Sequence, residues 1–448
     1  MISMFAKNKL KTFRGGIHPH IERSLCGAKK SVEIPLPVKV RIPLQQHIGA
    51  PAVPVVKAGD SVKTGQVIGE AGGFVSSYIH ASVSGKVTGV KKFPVAVHKR
   101  AVCVEIESDG LDERVWDANL REWNKLSVTQ IRESILNAGI VGMGGAAFPT
   151  HVKVSPPDNK KIDRVIINGV ECEPYLDADR TVMTKFPDKV LQGLLIVMKL
   201  VDCADGYIGI EANKPDAIEI MDNTARELSQ VDVIPLRVKY PQGAEKQLIY
   251  AVTGREVPFG GLPMDVGALV INASTAMAVY DAVVYNKPLI ERTMTIAGSC
   301  LEQSVNLTAR IGTMVTDIID GIGGFSTSPT KAVMGGPMMG EVLTSYEIPV
   351  VKGTSGLLFL TEPETDTYRM GPCIRCGKCV DICPMGISPA MICQAVEFGD
   401  YELAEKLGLF NCMKCGCCTY ICPSSRELVQ LIKLGEYNLK IIKDKKRE

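Results

Sequence analysis

Eight cysteines near the C-terminus stand at spacings that suit metal chemistry. Cys373, Cys376, Cys379 and Cys383 form a CxxCxxCxxxC run closed by Pro384, and Cys412, Cys415, Cys418 and Cys422 repeat it, closed by Pro423. Each cysteine of the second run lies 39 residues after its counterpart, so the segment is an internal duplication. Thiolates at this spacing hold iron–sulfur clusters, three cysteines of a run serving one cluster and the fourth serving the other. Cys373, Cys376, Cys379 and Cys422 are therefore expected around one [4Fe–4S] cluster, and Cys412, Cys415, Cys418 and Cys383 around a second. Structural zinc also uses CxxC pairs, but it explains neither the third CxxC step nor the prolines. Cys393 reads as a buried thiol on a helix, and Cys417, though next to a ligand, has no place in the register. Cys26, Cys103, Cys172, Cys203 and Cys300 read as scattered core thiols.

A second constellation lies upstream, in GIVGMGGAAFPTHVK (139–153) and INGVECEPYLDADR (167–180). Gly142, Gly144 and Gly145 permit backbone geometries in which several N–H groups face an anion, although a tight helix-to-strand turn uses the same residues. Glu171, Glu173, Asp177 and Asp179 make an acidic set too dense for a mere turn, with a solvated loop as the plain alternative. His18 and His20, in the string FRGGIHPH, are candidate metal ligands; a surface arm or docking segment is the simpler account of residues 1–30.

These residues must be carried by a multi-domain α/β plus β chain. Its 448 residues suggest about three or four domains. A net charge of +2, from 51 Lys+Arg against 49 Asp+Glu, gives no reason to expect a nucleic-acid or polyanion partner. Hydrophobic content of 46% with 22% charged residues excludes wholesale disorder. No apolar run reaches the roughly 18 residues a membrane helix needs, and the N-terminus lacks the pattern of a secretory signal. Clustered cysteines in such a chain point to reduced, metal-bound thiols in the cytoplasm.

Along the chain, residues 31–110 read as short strands with glycine turns, an all-β module. Residues 111–290 alternate helix and strand, beginning with a helix over 129–138 capped by Ser127 or Thr129 and stopped by Gly139; ligands of such sheets sit at the carboxyl ends of strands. Residues 291–362 return to short strands around one helix. Residues 363–430 carry the cysteines, with a helical insert begun by Ser388 and Pro389, and 431–448 read as a basic, solvated tail.

Several segments resemble known families. KAGDSVKTGQVIG paired with HASVSGKVTGV resembles the barrel-sandwich fold of lipoyl and biotinyl carriers, without their modified lysine. The order of elements over 291–362 resembles the SLBB β-grasp domain; an extension of the preceding domain is the alternative. The helical insert is similar to the helical two-cluster ferredoxin type. GMGGAAFPTHVK and NGVECEP look like the flavin loop and the NADxSEP segment of the NADH-binding flavoprotein subunit of respiratory complex I; GAEKQLI (243–249) and VINASTAMA (270–278) are similar to its later motifs. That resemblance implies a Rossmann-like FMN/NADH domain with Gly142, Gly144, Gly145, Lys153, Asn168, Glu171, Gly243, Glu245, Asn272 and Thr275 around FMN, and Phe148 and Glu173 at NADH. The sequence departs from that pattern at Val170, Ala147 and Ala244, where the family has Asp, Gly and Glu.

The whole order, with TFRGGIHP and IPLQQHIGAPAVPVV, resembles the RnfC family, the C subunit of the Rnf ion-translocating electron transport complex. This implies a peripheral subunit, on the cytoplasmic face of the membrane, of an ion-translocating NADH:ferredoxin oxidoreductase with membrane and iron–sulfur subunits as partners. NADH gives up two electrons as a hydride while a cluster takes one, and a flavin does both, so FMN and two clusters form a coherent chain. Hydride transfer requires no general acid or base, and none is nominated. A cobalamin reductase of propanediol-degrading microcompartments shares the flavin domain and the cluster motif; a non-enzymatic relay or scaffold with a decayed flavin site is the third reading.

Overall fold

Alternating apolar residues in Val40, Ile42 and Leu44 put one face of a strand into a core, and the pattern recurs at Val104 and Ile106. In the computed structural model, which describes residues 10–19, 30–95, 100–116, 119–365 and 369–445, these side chains face each other within the N-terminal module. β1 (Lys30–Val32) leaves that module to join a distant sheet. β2 (Lys39–Pro43), β3 (Val53–Pro54), β4 (Ser61–Val62), β5 (Val67–Glu70), β6 (Ile79–His80), β7 (Gly85–Pro94) and β8 (Arg100–Ser108) follow. They form a four-stranded sheet β2-β8-β7-β4 and a three-stranded sheet β3-β5-β6, both antiparallel.

The α/β part begins at α1 (Val128–Asn137), where the Ser127 side chain and Gln130 form a reciprocal cap. It continues through α2 (Thr150–Lys153), β9 (Arg164–Asn168), α3 (Ala178–Lys185), α4 (Pro187–Leu200), β10 (Gly206–Glu211), α5 (Pro215–Ala225), β11 (Val231–Leu236), α6 (Glu245–Thr253), β12 (Ala268–Asn272) and α7 (Ala273–Tyr285). The sheet order is β11-β10-β9-β12, all parallel, so Asn168 and Asn272 end neighbouring strands on the same edge. One continuous apolar core runs from Val40 and Ile106 of the sandwich into Ile131, Leu194 and Val279 of this layer.

β13 (Glu291–Ala297), β14 (Val305–Arg310), α8 (Val315–Gly321), β15 (Lys331–Met334), β16 (Glu341–Val342) and β17 (Gly356–Leu360) build a mixed sheet ordered β1-β14-β13-β17-β15-β16. β1 supplies its edge by pairing parallel with β14. The strand that opens the segment expected as the barrel-sandwich module thus pairs outside that module.

The last part holds α9 (Lys378–Asp381), α10 (Pro389–Glu397), α11 (Tyr401–Lys406), α12 (Cys417–Ile421) and α13 (Leu428–Lys445). Ser388 occupies the position before α10 but makes no capping bond. The expected solvated tail is instead most of α13. Leu428, Ile432 and Leu439 are buried against Ile392 and Val396 of α10, and Lys443 pairs with Glu405 at 2.5 Å. The charge run lies on the outer face of an amphipathic helix, which composition alone reads as solvated chain.

Of the segment expected as a surface arm or docking segment, residues 10–19 are packed. Phe13 and Ile17 are buried; Ile17 exchanges backbone hydrogen bonds with Tyr240 at 2.8 and 2.9 Å, and Gly16 N–H donates to Ile382 O at 2.7 Å. Residues 10–19 thus clasp the cysteine-rich part onto the α/β layer. His18 is exposed; His20 and Cys26 lie outside the described residues.

Candidate functional site

The glycine loop follows α1 because Gly139 takes φ +66°, turning the chain back to the sheet edge. Gly142 N–H donates to Phe148 O at 2.8 Å and Thr150 N–H to Ile140 O at 3.0 Å, closing a narrow loop over 143–147. Met143 is held at both ends: its N–H donates to Thr275 Oγ1 and its carbonyl accepts from Arg292 Nη2, each at 2.9 Å. Gly144, Gly145 and Ala146 are exposed, and among the described residues their N–H groups have no partner. Gly145 adopts φ +157° with open space where a side chain would stand. Three adjacent free amides on a rigid turn are a fit for an anionic group such as a phosphate. Ala147, where the resembled family has glycine, keeps a left-handed φ of +50°.

Around this loop the sheet edge gathers most of the residues singled out in the sequence. Asn272 caps α7 by accepting from Ser274 and Thr275 N–H, and its Nδ2 donates to Asp179 Oδ2 at 2.5 Å. Glu171 accepts from the N–H groups of Asp179 and Arg180 at the start of α3. Burial pushes its carboxyl above the ordinary range, and Asp179 adds to the rise. Asn168 Nδ2 donates to Gly243 O at 2.7 Å, and Lys153 pairs with Glu245 at 2.6 Å across to α6. The acidic set is thus stitched into the fold and is no solvated loop. Val170 lies in an apolar cluster with Ile166 and Leu248, so no polar side chain replaces the family's aspartate there.

Glu173 is engaged by the turn after β15. Its Oε2 accepts from Met338 N–H at 3.1 Å in the GGPMM turn after β15, and Gly336 leaves no room for a side chain beside it. Burial pushes this carboxyl up to about 7. Phe148 is half-buried and contributes its carbonyl to closing the loop.

Four residues were invisible as site members in sequence. Arg292 on β13 is fully buried and reaches the glycine loop from another sheet. Lys214 is buried, with Nζ on Val170 O at 2.8 Å. Tyr240 donates its hydroxyl to Cys415 O at 2.7 Å, with Glu173 Oε1 3.5 Å away. Cys417, set aside by register, is buried with its Sγ 3.9 Å from Tyr240 O, and its thiol holds Cys415 below the ordinary thiol range. Only adjacency to a ligand marked Cys417.

The four cysteines expected as the second set lie near one another, though among the described residues no three candidate ligands stand close enough to hold one metal ion. Cys383, Cys412, Cys415 and Cys418 line one small cavity, with Met385, Ile387 and Val429 as apolar walls. Burial pushes Cys412 up to about 11 and raises Cys383 and Cys418, so their ionisation at neutral pH has to accompany metal ligation. A polymetallic cluster with thiolate ligands fits this donor set and its apolar walls. In the first set, burial raises the Cys379 thiol, with Cys376 and Cys373 adding to the rise. Gly371 N–H donates to Ser424 O at 2.9 Å, bringing the start of the first run beside Cys422. Cys393 is buried, with Sγ 3.3 Å from Leu428 O. Cys103, Cys203 and Cys300 are buried, while Cys172 sits at the site, 3.3 Å from Gly243 N.

A glycine-loop α/β layer clasped to a duplicated cysteine domain defines an iron–sulfur electron-transfer protein with a nucleotide-type module. The Nuo51 FMN-binding domain matches residues 135–281, the RnfC barrel sandwich hybrid domain 11–111, and the 4Fe–4S dicluster domain 367–423. The chain belongs to the RnfC family, the C subunits of ion-translocating ferredoxin:NAD⁺ oxidoreductase complexes. It is 48% identical over 95% of its length to the C subunit of the proton-translocating complex of Clostridium ljungdahlii, covering 93% of that protein. To the C subunit of the Na⁺-translocating complex of Acetobacterium woodii it is 46% identical, over 95% of this chain and 96% of that one. The C subunit of the ion-translocating oxidoreductase complex of Rhodobacter capsulatus is 41% identical, over 89% and 77%. Among solved structures, an NAD⁺-reducing [NiFe]-hydrogenase chain aligns at a TM-score of 0.47 and 16% identity, over 69% of this chain and 64% of that one, a distant likeness. Membership in the RnfC family favours that reading over the cobalamin-reductase one.

Proposed function

We propose that this chain is the peripheral NADH-oxidising, or NAD⁺-reducing, subunit of a membrane-bound ion-translocating NADH:ferredoxin oxidoreductase, placed on the cytoplasmic face. No helix among the described residues is long and apolar enough to cross a membrane, which accords with a peripheral place. FMN, when bound, exchanges a hydride with NADH and electrons singly with iron–sulfur clusters. The amides of Gly144, Gly145 and Ala146 would hold its phosphate end, with Lys153 supplying positive charge. Gly142, Asn168, Glu171, Gly243, Glu245, Asn272 and Thr275 shape the pocket at the strand ends. Phe148 and Glu173 border the nicotinamide; the turn of Glu173 toward Met338 supports a bordering role better than a direct contact. The sheet β1-β14-β13-β17-β15-β16 with α8 serves as the β-grasp (SLBB) domain, and its Arg292 sets the glycine loop.

The single observation that carries the reading is the junction of the two chemistries. Tyr240 lies between Glu173 and Cys415, so the second cysteine set is the one beside the α/β site, and the first set lies outward. Cys383, Cys412, Cys415 and Cys418 would then hold the cluster beside the α/β site, and Cys373, Cys376, Cys379 and Cys422 the one facing partner subunits, each supplying one-electron transfer in either direction.

The test is anaerobic: iron, sulfide and FMN are measured in the purified chain, and NADH is then added. Bleaching of both flavin and cluster absorbance is expected. Full cofactor content with no bleaching would instead favour a relay fed by another donor.

A further inference from the structure

The duplicated cysteine loops are an internal control for what covers them. Arg375 and Lys414 occupy the same place in the two runs and share a left-handed backbone, φ +55° and +60°, as do Gly377 and Gly416 at +79° and +82°. The loops therefore have the same local fold, yet their surroundings differ throughout. Cys415, Gly416, Cys417 and Cys418 are buried; Met413 packs in the cluster formed by Ile17 and Tyr240; Met338 presses on Gly416; and Lys414 is neutralised by Glu436 at 2.8 Å. In the first loop every residue from 372 to 378 is exposed. Ile374, the counterpart of Met413, is 63% exposed, and nothing lies within 4 Å of where a Gly377 side chain would stand. Met370, 59% exposed, extends the apolar strip. Arg369, Arg375 and Lys378 are exposed and have no ion-pair partner among the described residues; the nearby acids in sequence are Glu362, Glu364 and Asp366 before them and Asp381 after.

From this contrast we infer that the loop 372–378, with Met370 and the cations Arg369, Arg375 and Lys378, is the docking surface for an electron-transfer protein domain whose contacting face is acidic. The second loop obtains its cover from the α/β layer and the 335–339 turn of the same chain. The first has the same conformation, an apolar residue at the same point, and a cation where its counterpart's charge is already neutralised. Charge complementarity selects an acidic partner, and steering by three cations raises the association rate in low salt. The inference rests on the cluster assignment above, because Cys373 and Cys376 are what make this surface an exit. The transfer is of one electron between two clusters, with no bond or proton involved.

The experiment uses the full chain with both clusters. A reduced acidic [4Fe–4S] ferredoxin is mixed with it in a stopped-flow cell, and bleaching of the chain's clusters is followed. Raising ionic strength from about 0.02 to about 0.3 M is expected to slow the reaction roughly tenfold. R375E/K378E is expected to slow it by a similar factor at low salt with iron and sulfide content unchanged, while L434E/Y437E on α13 leaves it as it is. If the charge reversal costs cluster content, R375Q/K378Q and the salt series on the unaltered chain still decide. A rate indifferent to salt, or one lost only in the α13 variant, overturns the inference. So does binding of the chain to vesicles of phosphatidylglycerol and phosphatidylcholine that R375E/K378E abolishes without changing the ferredoxin rate. Electrons enter here from the cluster side, so failure of NADH to bleach the chain would sink the proposed function and leave this result standing.

Discussion

Arg292 Nη2 donates to Met143 O at 2.9 Å while its Nε donates to Thr354 O at 2.9 Å, so a fully buried guanidinium on β13 fixes a peptide of the glycine loop. In a trans peptide the carbonyl and the following N–H point in opposite directions. Holding the Met143 carbonyl therefore turns the Gly144 N–H outward, toward the open side of the loop. Arg292→Met leaves two buried carbonyls unpaired, at a cost of about 1–3 kcal/mol each. FMN retention on ultrafiltration should fall at least about tenfold, with Arg292→Lys intermediate and iron content unchanged. Equal FMN retention in all three proteins would remove Arg292 from the site.

Lys153 and Glu245 form a half-exposed pair, which as an ion pair contributes no more than about 1 kcal/mol to stability. Lys153→Ala should therefore barely move the melting temperature of the apoprotein yet weaken FMN binding, read by recovery of free-flavin fluorescence on dilution. Loss of stability without loss of flavin would reduce Lys153 to a strut.

Gly15 has φ +77°, and a side chain there would stand 2.9 Å from the carbonyl oxygens of both Ile382 and Cys383. Gly15→Ala adds about 1–2 kcal/mol of backbone strain to that clash. Because Cys383 belongs to the crossed set, the variant should lose iron and sulfide while keeping FMN. Elemental analysis beside flavin absorbance checks it.

Cys417 adjoins the expected ligand Cys415 and holds its thiol below the ordinary range, its own Sγ lying 3.9 Å from Tyr240 O, and polar groups beside ligand sulfur raise cluster potentials by favouring the more negative reduced state. Cys417→Ala should shift the potential of one of the two clusters downward and leave the other in place, as read by redox titration with electron paramagnetic resonance. Two unchanged potentials would leave Cys417 a packing residue only.

Glu173 takes up its proton more readily in the fold, since burial raises its carboxyl from the ordinary 4.5 to about 7. Between those values the folded chain binds more protons than the unfolded chain, so Glu173 makes stability fall as pH rises from about 4.5 to about 7 and adds no further slope above that. Glu173→Gln should flatten that limb of the melting-temperature profile. An identical profile would show that Glu173 is already ionised in the folded chain.

What the sequence determined by itself was whatever depends on spacing along the chain. The cysteine runs, the crossed register that brings Cys383 to Cys412, the glycine loop before β9 and the alternation of strand and helix are all local patterns, since metal ligation and backbone periodicity act over a few residues. Tertiary structure decided what depends on surfaces meeting. Residues 10–19 read as an arm because a short basic segment shows no periodicity; their cover is supplied by Tyr240 and Ile382, more than 200 residues away. The basic end read as solvated because charge run and amphipathic helix differ only in what the apolar face finds, here Ile392 and Val396. Arg292, Lys214 and Tyr240 carried no local mark, since an isolated cation or tyrosine acquires a role only when a distant carbonyl is brought to it. The two cysteine loops state the division most simply. Their spacing is identical, and which one is buried beside the α/β site and which one faces outward follows only from how the rest of the chain packs around them.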